Sequence, residues 1–326
     1  MVRARILGTG RYAPAKVVTN DDLSKSIETT DEWIYSRTGI KTRHIAAEGE
    51  QTSDLAVAAA KNALEMAGKK ASDLDLIVVG TISSDLHMPS CAVYVQAKLG
   101  AKCPAFDVSA ACAGSIYGLS IAEQFVSTGA KKCVLVIGVE LLSRLVDWKD
   151  RNTCVLFGDA AGAMIVGPSN DDRRGILSTH LHADGNVADI LTIPAGGSVH
   201  PITAQAVEQG LQYIKMNGRE VYKVAVRSLE EVVREALAAN KMSVGDVTHV
   251  VPHQANIRII DTVLERLEIP REKAILNIDR YGNTSSASVP ITLDEGVRSD
   301  RIREGDVVAM MAIGAGMAWG GALVRW

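Results

Sequence analysis

Short apolar runs recur along the 326-residue chain and alternate with segments of helical periodicity. Apolar side chains fill these runs almost without interruption, which is typical of strands buried on both faces of a sheet. Strands that alternate with helices in this way predict an α/β architecture with well-covered sheets. The clearest runs are LDLIVVG at 74–80, CVLVIGV at 133–139, THVVPH at 248–253 and VVAMMAIG at 307–314.

Two distant stretches of the chain share one pattern. The stretches at 63–80 and 236–253 each contain a helix end, a polar turn, an Asp and then a strand, and Asp73 and Asp246 occupy the same place in it. Their identity is weak but the patterns agree, which predicts two similarly folded halves. The polar, turn-forming segment GPSNDDRRG at 167–175 is suited to cross between them. We therefore expect halves spanning 1–170 and 171–326.

The segment at 219–239 has the periodicity of an amphipathic helix. One stripe is apolar, and the other face carries a basic series that by itself indicates only a solvated surface. The apolar stripe comprises Val221, Val224, Ala225, Leu229, Val232, Val233, Ala236 and Leu237. The basic series comprises Arg219, Lys223, Arg227 and Arg234.

Composition narrows the classes of function. A net charge of -3 and a pI near 6.2 give no overall attraction to nucleic acid or to an anionic membrane. The chain shows no apolar stretch of signal-peptide length at its N-terminus and no membrane-spanning run, so we expect a cytoplasmic protein. Its five cysteines lack CxxC spacing, and HLHADG is an isolated histidine pair, so we expect neither a disulfide framework nor a metal site. We expect no resident cofactor.

Cys112 stands in DVSAACAGSIYG at 107–118, where a strand pattern gives way to small residues and then to a helix. Backbone N–H groups and the helix dipole at such a terminus favour a thiolate, which is the form that attacks electrophiles. Small neighbours leave room for a substrate carbonyl. A buried cysteine in a tightly packed turn is the structural alternative, and for an isolated cysteine it is the commoner one.

Two other polar residues follow strand patterns in the second half. His253 comes directly after an apolar strand, at the end where α/β proteins place their sites. Asn283 lies in LNIDRYGNTSSASVP at 276–290, which repeats the strand, turn and helix start of the cysteine region. Each residue also has a structural explanation. His253 could be a core histidine, and Asn283 could belong to a turn followed by a helix cap. Together with Cys112, they place a cysteine, a histidine and an asparagine on three separate loops.

These three segments resemble the thiolase-like condensing enzymes, most closely the β-ketoacyl-acyl-carrier-protein synthase III family. The resemblance extends over nearly the whole chain and is specific because six motifs occur in the same order. The motifs are DEWIYSRTGIKTRHIA at 31–46, PAFDVSAACAG at 104–114, FGDAAGA at 157–163, VPHQANIR at 251–258, YGNTSSASVP at 281–290 and GAGMAWGGALVRW at 314–326.

The resemblance implies a thiolase-like fold in which the two halves form α-β-α-β-α layers. It also implies that Cys112 takes an acyl group from acyl-CoA and that malonyl-carrier protein is then decarboxylated and condensed with it, which initiates fatty-acid synthesis. His253 and Asn283 would donate hydrogen bonds to the malonyl thioester oxygen. The acyl oxyanion would be bound by the Cys112 N–H and an amide in the turn containing Ala315 and Gly316.

Further positions match the family's binding residues. The CoA contacts implied by the match are Thr29, Trp33, Arg37, Arg151, Gly218 and Asn256. Lys223, Arg258 and Arg266 match a face that docks the acidic carrier protein. Met88 stands where the family places its acyl-length gate, and family members are typically homodimers whose pockets border the partner subunit.

Two other functions remain open at this point. A Cys-His-Asn condensing enzyme of secondary metabolism, of the type III polyketide or alkylquinolone kind, would use CoA rather than carrier protein for the extender. A non-catalytic acyl- or carrier-binding module would have lost one member of the triad, whereas this sequence keeps all three.

Overall fold

The computed structural model describes residues 2–171 and 173–326. The first half contributes β1 (Ala4–Tyr12), β2 (Lys16–Thr19), β3 (Thr42–Ile45), β4 (Leu76–Gly80), β5 (Ala105–Val108), β6 (Val134–Glu140) and β7 (Ala160–Pro168). The second contributes β8 (Gly175–Ala183), β9 (Leu191–Thr192), β10 (Lys215–Met216), β11 (His249–Pro252), β12 (Val307–Gly314) and β13 (Ala318–Arg325).

The helices alternate with these strands as the sequence pattern predicts. The first half contains α1 (Asn20–Ser24), α2 (Asp31–Thr38), α3 (Thr52–Ala67), α4 (Cys91–Leu99), α5 (Gly114–Ser127) and α6 (Arg151–Cys154). The second contains α7 (Ala204–Glu208), α8 (Gly218–Ala239), α9 (Ile257–Arg266), α10 (Ile278–Tyr281) and α11 (Ser288–Arg298). Short 3₁₀ turns precede α5 at Ala111–Ala113 and α11 at Ser285–Ala287.

The two main sheets have corresponding strand orders. The first runs β1-β7-β6-β4-β5 and the second β8-β13-β12-β11. The first contains the parallel neighbours β6 and β4, and the second contains the parallel neighbours β12 and β11. An isolated parallel bridge from Val250 to Ala274 stands where a fifth strand would pair in the second sheet. The boundary predicted at residue 170 lies between β7 and β8.

Helices cover both faces of each sheet, which confirms the predicted five-layer thiolase-like fold. Helix α5 lies between the sheets, where Ile116 and Leu119 pack in one core with Val136 of the first sheet and Met310 of the second. A second core joins α3 and α4 to the outer face of the first sheet, and a third joins α8 and α9 to the outer face of the second. Strands β4 and β6 are buried along their whole length, as their continuous apolar runs predict.

Helix α8 is the amphipathic helix predicted at 219–239. Its buried side chains include Leu229, Val232 and Leu237, and its basic series is exposed. Across the residues that the structure describes, none of the helices has the length and apolarity needed to cross a bilayer.

The two 3₁₀ turns meet at the centre of the molecule. Ala111 and Ser285 both have positive φ values, 44° and 50°, so the backbone makes the same sharp turn before α5 and before α11. A Cβ on Gly314 would lie 2.4 Å from the Cys112 nitrogen, and a Cβ on Gly138 would lie 2.0 Å from the Ser286 oxygen. Each turn therefore packs against the central strand of the opposite half, at a glycine that leaves room for it.

Candidate active site

Cys112 lies in the Ala111–Ala113 turn, directly before α5 rather than within its first turn. The strained φ of Ala111 turns the backbone so that Cys112 faces two adjoining cavities between the halves. Its residue exposure is only 8%. The sequence predicts a cysteine at a helix start that faces open space. The structure places Cys112 in the turn directly before the helix, where it faces the two cavities.

The protonation state of Cys112 differs from the prediction. Burial raises the pKa of its thiol to about 12, although the nearby Ser285 side chain acts in the opposite direction. The expected thiolate is wrong for this state of the site, because removal of water from around the sulfur outweighs the donors at the helix start. A thiol of this kind needs a proton acceptor at the moment it reacts.

His253 follows β11, as its place after an apolar strand predicts. It is 2% exposed, and burial lowers its pKa to about 3, so the imidazole is neutral at physiological pH. The Nδ1 atom lies 2.6 Å from the hydroxyl oxygen of Ser288, the first residue of α11. This short contact fixes the ring orientation, and the tautomer that donates from Nε2 exists when the Ser288 hydroxyl donates to Nδ1.

Asn283 is held in one orientation by the turn that follows it. The Ser285 backbone N–H donates to Asn283 Oδ1 at 2.8 Å, and backbone bonds tie Asn283 to Leu156 and Gly158 on both sides. Because the oxygen is occupied, the amide NH2 is the group available to the cavity. The side chain is therefore set up as a donor.

A cavity of about 140 Å³ brings the three predicted residues together, and we call it the triad cavity. Cys112 comes from the first half, whereas His253 and Asn283 come from two loops of the second. Gly218 and Asn256, both predicted from the resemblance, also line it. The arrangement offers one sulfur nucleophile and two neutral nitrogen donors around a common space.

A second cavity of about 210 Å³, the apolar cavity, adjoins the other side of Cys112. Its larger lining side chains are apolar: Ile82, Leu142, Phe157, Leu191, Ile193 and Ile214. Ala315 reaches this cavity, whereas Gly316 is exposed and Gly314 packs on the Cys112 backbone. An acyl chain attached to Cys112 would find hydrocarbon surroundings there.

The predicted nucleotide contacts lie at the surface around Trp33. The Cζ atoms of Arg37 and Arg151 lie 4.6 and 4.5 Å from the centroid of the Trp33 ring. Both distances are too short for a purine to lie between ring and guanidinium, so stacking on Trp33 requires one arginine to move. Arg151 also donates to the Glu28 carbonyl at 2.8 Å. The next residue, Thr29, is half-buried and its hydroxyl oxygen is buried.

Met88 lies outside both cavities of its own chain. Its side chain is 84% exposed, and Leu86 beside it is 54% exposed. The expected acyl-length gate is thus absent from the pocket of the same chain, because the loop after β4 carries Met88 outward. A gate at this position could act only on a neighbouring subunit.

The predicted docking residues Lys223, Arg258 and Arg266 are all exposed on helices α8 and α9. Lys223 on α8 pairs with Glu220 at 2.8 Å, and Arg258 at the start of α9 donates to the Ser36 carbonyl of α2. Arg266 lies farther along α9 and approaches Glu230 at 3.4 Å. These exposed contacts contribute little to stability.

Sequence reasoning missed three polar residues that support the triad. They are Ser288 beside His253, Ser285 between Asn283 and Cys112, and the fully buried Glu140 at the end of β6. The available signal for Glu140 was a carboxylate placed directly after the all-apolar run at 133–139. The hydrogen-bond partners of Glu140 come from loops that are distant in sequence, so this signal could not be interpreted without the fold.

Two halves that meet through paired turns, with a sulfur nucleophile from one and neutral donors from the other, are the architecture of the thiolase-fold condensing enzymes. A family model described as 3-oxoacyl-[acyl-carrier-protein (ACP)] synthase III matches residues 106–185, and its C-terminal counterpart matches residues 237–326. Both matches contain residues of the triad.

Full-length relatives make the family assignment specific. The chain is 51% identical to a β-ketoacyl-[acyl-carrier-protein] synthase III of Xanthomonas campestris pv. campestris, over 100% of this chain and 99% of the relative. It is 52% identical to the Xylella fastidiosa protein of the same name, with the same coverage. The crystal structure of 3-oxoacyl-[acyl-carrier-protein] synthase III from Aquifex aeolicus matches with a TM-score of 0.92 at 48% identity, over 99% of this chain and 100% of that chain. The chain belongs to the β-ketoacyl-[acyl-carrier-protein] synthase III family.

Proposed function

We propose that the protein joins an acyl group from acyl-CoA to malonyl-carrier protein by decarboxylative Claisen condensation, giving a β-ketoacyl-carrier protein that initiates fatty-acid synthesis. The observation that carries this proposal is the triad cavity, where Cys112, His253 and Asn283 line one space beside an apolar cavity. Family membership supplies the substrate class.

In the first half-reaction, Cys112 attacks the acyl-CoA thioester. The tetrahedral oxyanion is bound by the Cys112 N–H and by an amide of the turn at Ala315, which lines the same cavity. CoA leaves, and the acyl chain remains on sulfur with its hydrocarbon portion in the apolar cavity.

In the second half-reaction, malonyl-carrier protein replaces CoA and loses CO2. Negative charge then develops on the malonyl thioester oxygen. His253 donates to it from Nε2, because the Ser288 hydroxyl donates to Nδ1, and Asn283 donates from its amide nitrogen. Two preorganised neutral donors stabilise the enolate, which attacks the acyl carbonyl and frees Cys112.

The pantetheine arm of both substrates is proposed to pass between α8 and α9, along Gly218 and Asn256. The adenine of CoA stacks on Trp33 after one of its two arginines moves, and Thr29 lies at the same rim. The carrier protein docks on the basic face of Lys223, Arg258 and Arg266, whose charges complement an acidic partner.

We further propose a cytoplasmic homodimer. Strand β5 is the last strand of its sheet and is short, and the adjacent 86–88 loop exposes Leu86 and Met88. Exposed apolar side chains beside an edge strand favour association with a second copy. Met88 would then reach the apolar cavity of the partner subunit and act there as the gate.

The choice of extender tests this proposal against the secondary-metabolism alternative. The enzyme is loaded with a panel of acyl-CoAs, and intact-protein mass is followed after addition of malonyl-carrier protein or of malonyl-CoA. We expect malonyl-carrier protein to clear the acyl mass and to yield a β-ketoacyl-carrier protein. Clearance by malonyl-CoA alone would support the alternative, and absence of any adduct would support a binding module.

A further inference from the structure

Glu140 is a fully buried carboxyl group that the condensation described above does not use. It ends β6 and is 0% exposed. The Thr81 hydroxyl donates to it at 3.2 Å and the Ile82 N–H at 3.2 Å, and the hydroxyls of Ser83 and Ser285 also donate. All of these donors are neutral, so the carboxylate is solvated by dipoles rather than by a cation.

Its surroundings make Glu140 able to bind a proton near neutral pH. Burial raises its pKa to about 7, against the opposing effect of the hydroxyl and amide donors. The titratable groups that interact with it from neighbouring elements are the thiols of Cys112 and of Cys91 at the start of α4. Buried carboxyl groups with such donors are stable in either protonation state, because each hydroxyl can also accept a hydrogen bond.

Ser285 connects Glu140 to the nucleophile. Its hydroxyl donates to Glu140 Oε1 at 3.2 Å. Ser285 also interacts with the Cys112 thiol and lowers its pKa, and both residues line the apolar cavity. Ser285 therefore lies next to both the reacting sulfur and the buried carboxylate, and it can relay a proton from one to the other.

Cys112 and Glu140 cannot both be ionised at low energetic cost. A charge on Glu140 opposes ionisation of Cys112, and both groups are removed from water. Two acidic groups coupled in this way titrate as a pair that carries one negative charge. The charge can lie on the carboxylate in the resting enzyme and on the sulfur when the sulfur attacks.

We propose that Glu140 receives the Cys112 proton through the Ser285 hydroxyl during acyl transfer, holds it while the acyl-enzyme exists, and returns it when condensation frees the sulfur. Glu140 does not contact the substrate and acts on the reaction only through Ser285. It is therefore a positioning residue, which holds the proton that Cys112 gives up. The inference rests on the proposed acyl transfer to Cys112 and deepens it.

The protons balance over the cycle. In acylation the Cys112 S–H bond breaks as that proton moves to the Ser285 oxygen, and the former Ser285 proton forms an O–H bond on Glu140. CoA leaves as a thiolate and takes a proton from bulk water. After condensation the Cys112 thiolate takes a proton back from Ser285, which takes one from Glu140, and the carboxylate is restored.

The test is the pH dependence of Cys112 reactivity, measured in two ways in the full-length enzyme. Single-turnover acylation by acetyl-CoA and alkylation by iodoacetamide are both followed by intact mass from pH 5.5 to 9.5. In the wild type both rates should rise through a midpoint near pH 7 and then become constant, because Glu140 can accept the Cys112 proton only when it is a carboxylate. Glu140→Gln should remove the midpoint and lower acylation at pH 7.5 by about a hundredfold, with an unchanged KM for acetyl-CoA.

Three further variants separate proton transfer from structural damage. Ser285→Ala should reproduce the Glu140→Gln profile, because it cuts the path. Ser286→Ala is the matched control, since its hydroxyl lies 3.3 Å from Glu140 but donates to the Gly80 carbonyl at 2.7 Å and lies off that path, and it should keep the wild-type midpoint. Glu140→Asp should restore a midpoint, and it keeps the test available if Glu140→Gln does not fold.

Three results would overturn the proposal. One is a wild-type profile retained in both Glu140→Gln and Ser285→Ala. Another is an equal loss of rate at every pH, which indicates a structural role. Faster alkylation of Glu140→Gln at every pH would show that Glu140 only repels the thiolate and would also overturn it. Iodoacetamide needs no acyl-CoA, so a failure of the proposed acyl transfer would be seen separately.

Discussion

The two turns at the centre of the molecule have nearly the same backbone and opposite roles. Each begins with a residue of positive φ, each leads into a helix between the sheets, and each packs on a glycine of the other half's central strand. The first presents Cys112 to the cavities. The second buries Ser286 completely, and its hydroxyl donates to the Gly80 carbonyl at 2.7 Å.

The difference shows how a repeated fold becomes an asymmetric site. The first turn is built from alanines and glycine, which leaves space for a substrate beside Cys112. In the second turn the Ser285 backbone N–H orients Asn283 and the Ser285 side chain acts on the thiol, and Ser288 directly after the turn contacts the His253 ring. One half provides the reacting atom and the other provides the donors, so neither half is an active site alone.

The largest effect is expected where the two turns depend on glycine. Gly314→Ala would place a Cβ 2.4 Å from the Cys112 nitrogen, and Gly138→Ala would place one 2.0 Å from the Ser286 oxygen. Both should lower the free energy of unfolding by about 1–3 kcal/mol, as overpacked cores do. Only Gly314→Ala should also abolish acylation of the protein that remains folded, measured by mass spectrometry. Equal acylation in both variants would contradict the assigned asymmetry.

The second-largest effect is expected at the two donors, His253 and Asn283, and it distinguishes their role from that of the nucleophile. His253→Ala and Asn283→Ala should each accept an acyl group at the wild-type rate and lose malonyl decarboxylation by about a hundredfold to a thousandfold, the usual cost of removing an oxyanion donor. Release of labelled CO2 measures this step. An equal loss of acylation and decarboxylation would mean that the second half also activates the sulfur.

A smaller effect is expected at Ser288, which holds the His253 ring. Ser288→Ala should lower decarboxylation about tenfold, because one buried hydrogen bond contributes on the order of 1 kcal/mol. Acylation should be unaffected, as it should be in the control Ser299→Ala at the far end of α11. The ¹⁵N shifts of His253 should show loss of the single tautomer, and unchanged shifts would exclude this role for Ser288.

The same histidine predicts a flat pH profile for decarboxylation. Its pKa is lowered to about 3, so the donor stays neutral above that value and its population does not change between pH 5 and 9. Decarboxylation measured on pre-formed acyl-enzyme should therefore show no histidine inflection in that range. An inflection near pH 6.5 that disappears in His253→Ala would show that the ring is more solvated than the structure indicates.

The smallest effect is expected at the surface. Reversal of charge at Lys223 and Arg258 should raise the KM for the carrier substrate about tenfold and leave the KM for acyl-CoA unchanged, because exposed charges act mainly on association. Reversal at the equally exposed Arg173 and Lys132 provides the control. The same rise in both double variants would remove the case for a specific docking face.

Strand positions and the pairing of the halves could be predicted from the sequence, because apolar runs and a repeated turn pattern are local signals. Cys112 and His253 could be named because each follows such a run. The strand expected before Asn283 is wrong, because the short helix α10 at Ile278–Tyr281 precedes it, and the association of the three residues came from the family resemblance. The state of the thiol could not be predicted, since burial depends on side chains from both halves. Glu140 and Ser288 were missed for the same reason, because their partners lie far away in sequence.

The most direct test of the account is the intact mass of the wild type and of Cys112→Ser after incubation with acyl-CoA and then with malonyl-carrier protein. The account predicts a single acyl mass on the wild type that disappears when malonyl-carrier protein is added, and no acyl mass on Cys112→Ser. An acyl adduct on Cys112→Ser at the wild-type level would contradict the assignment of Cys112 as the nucleophile, and with it the division of labour between the two turns.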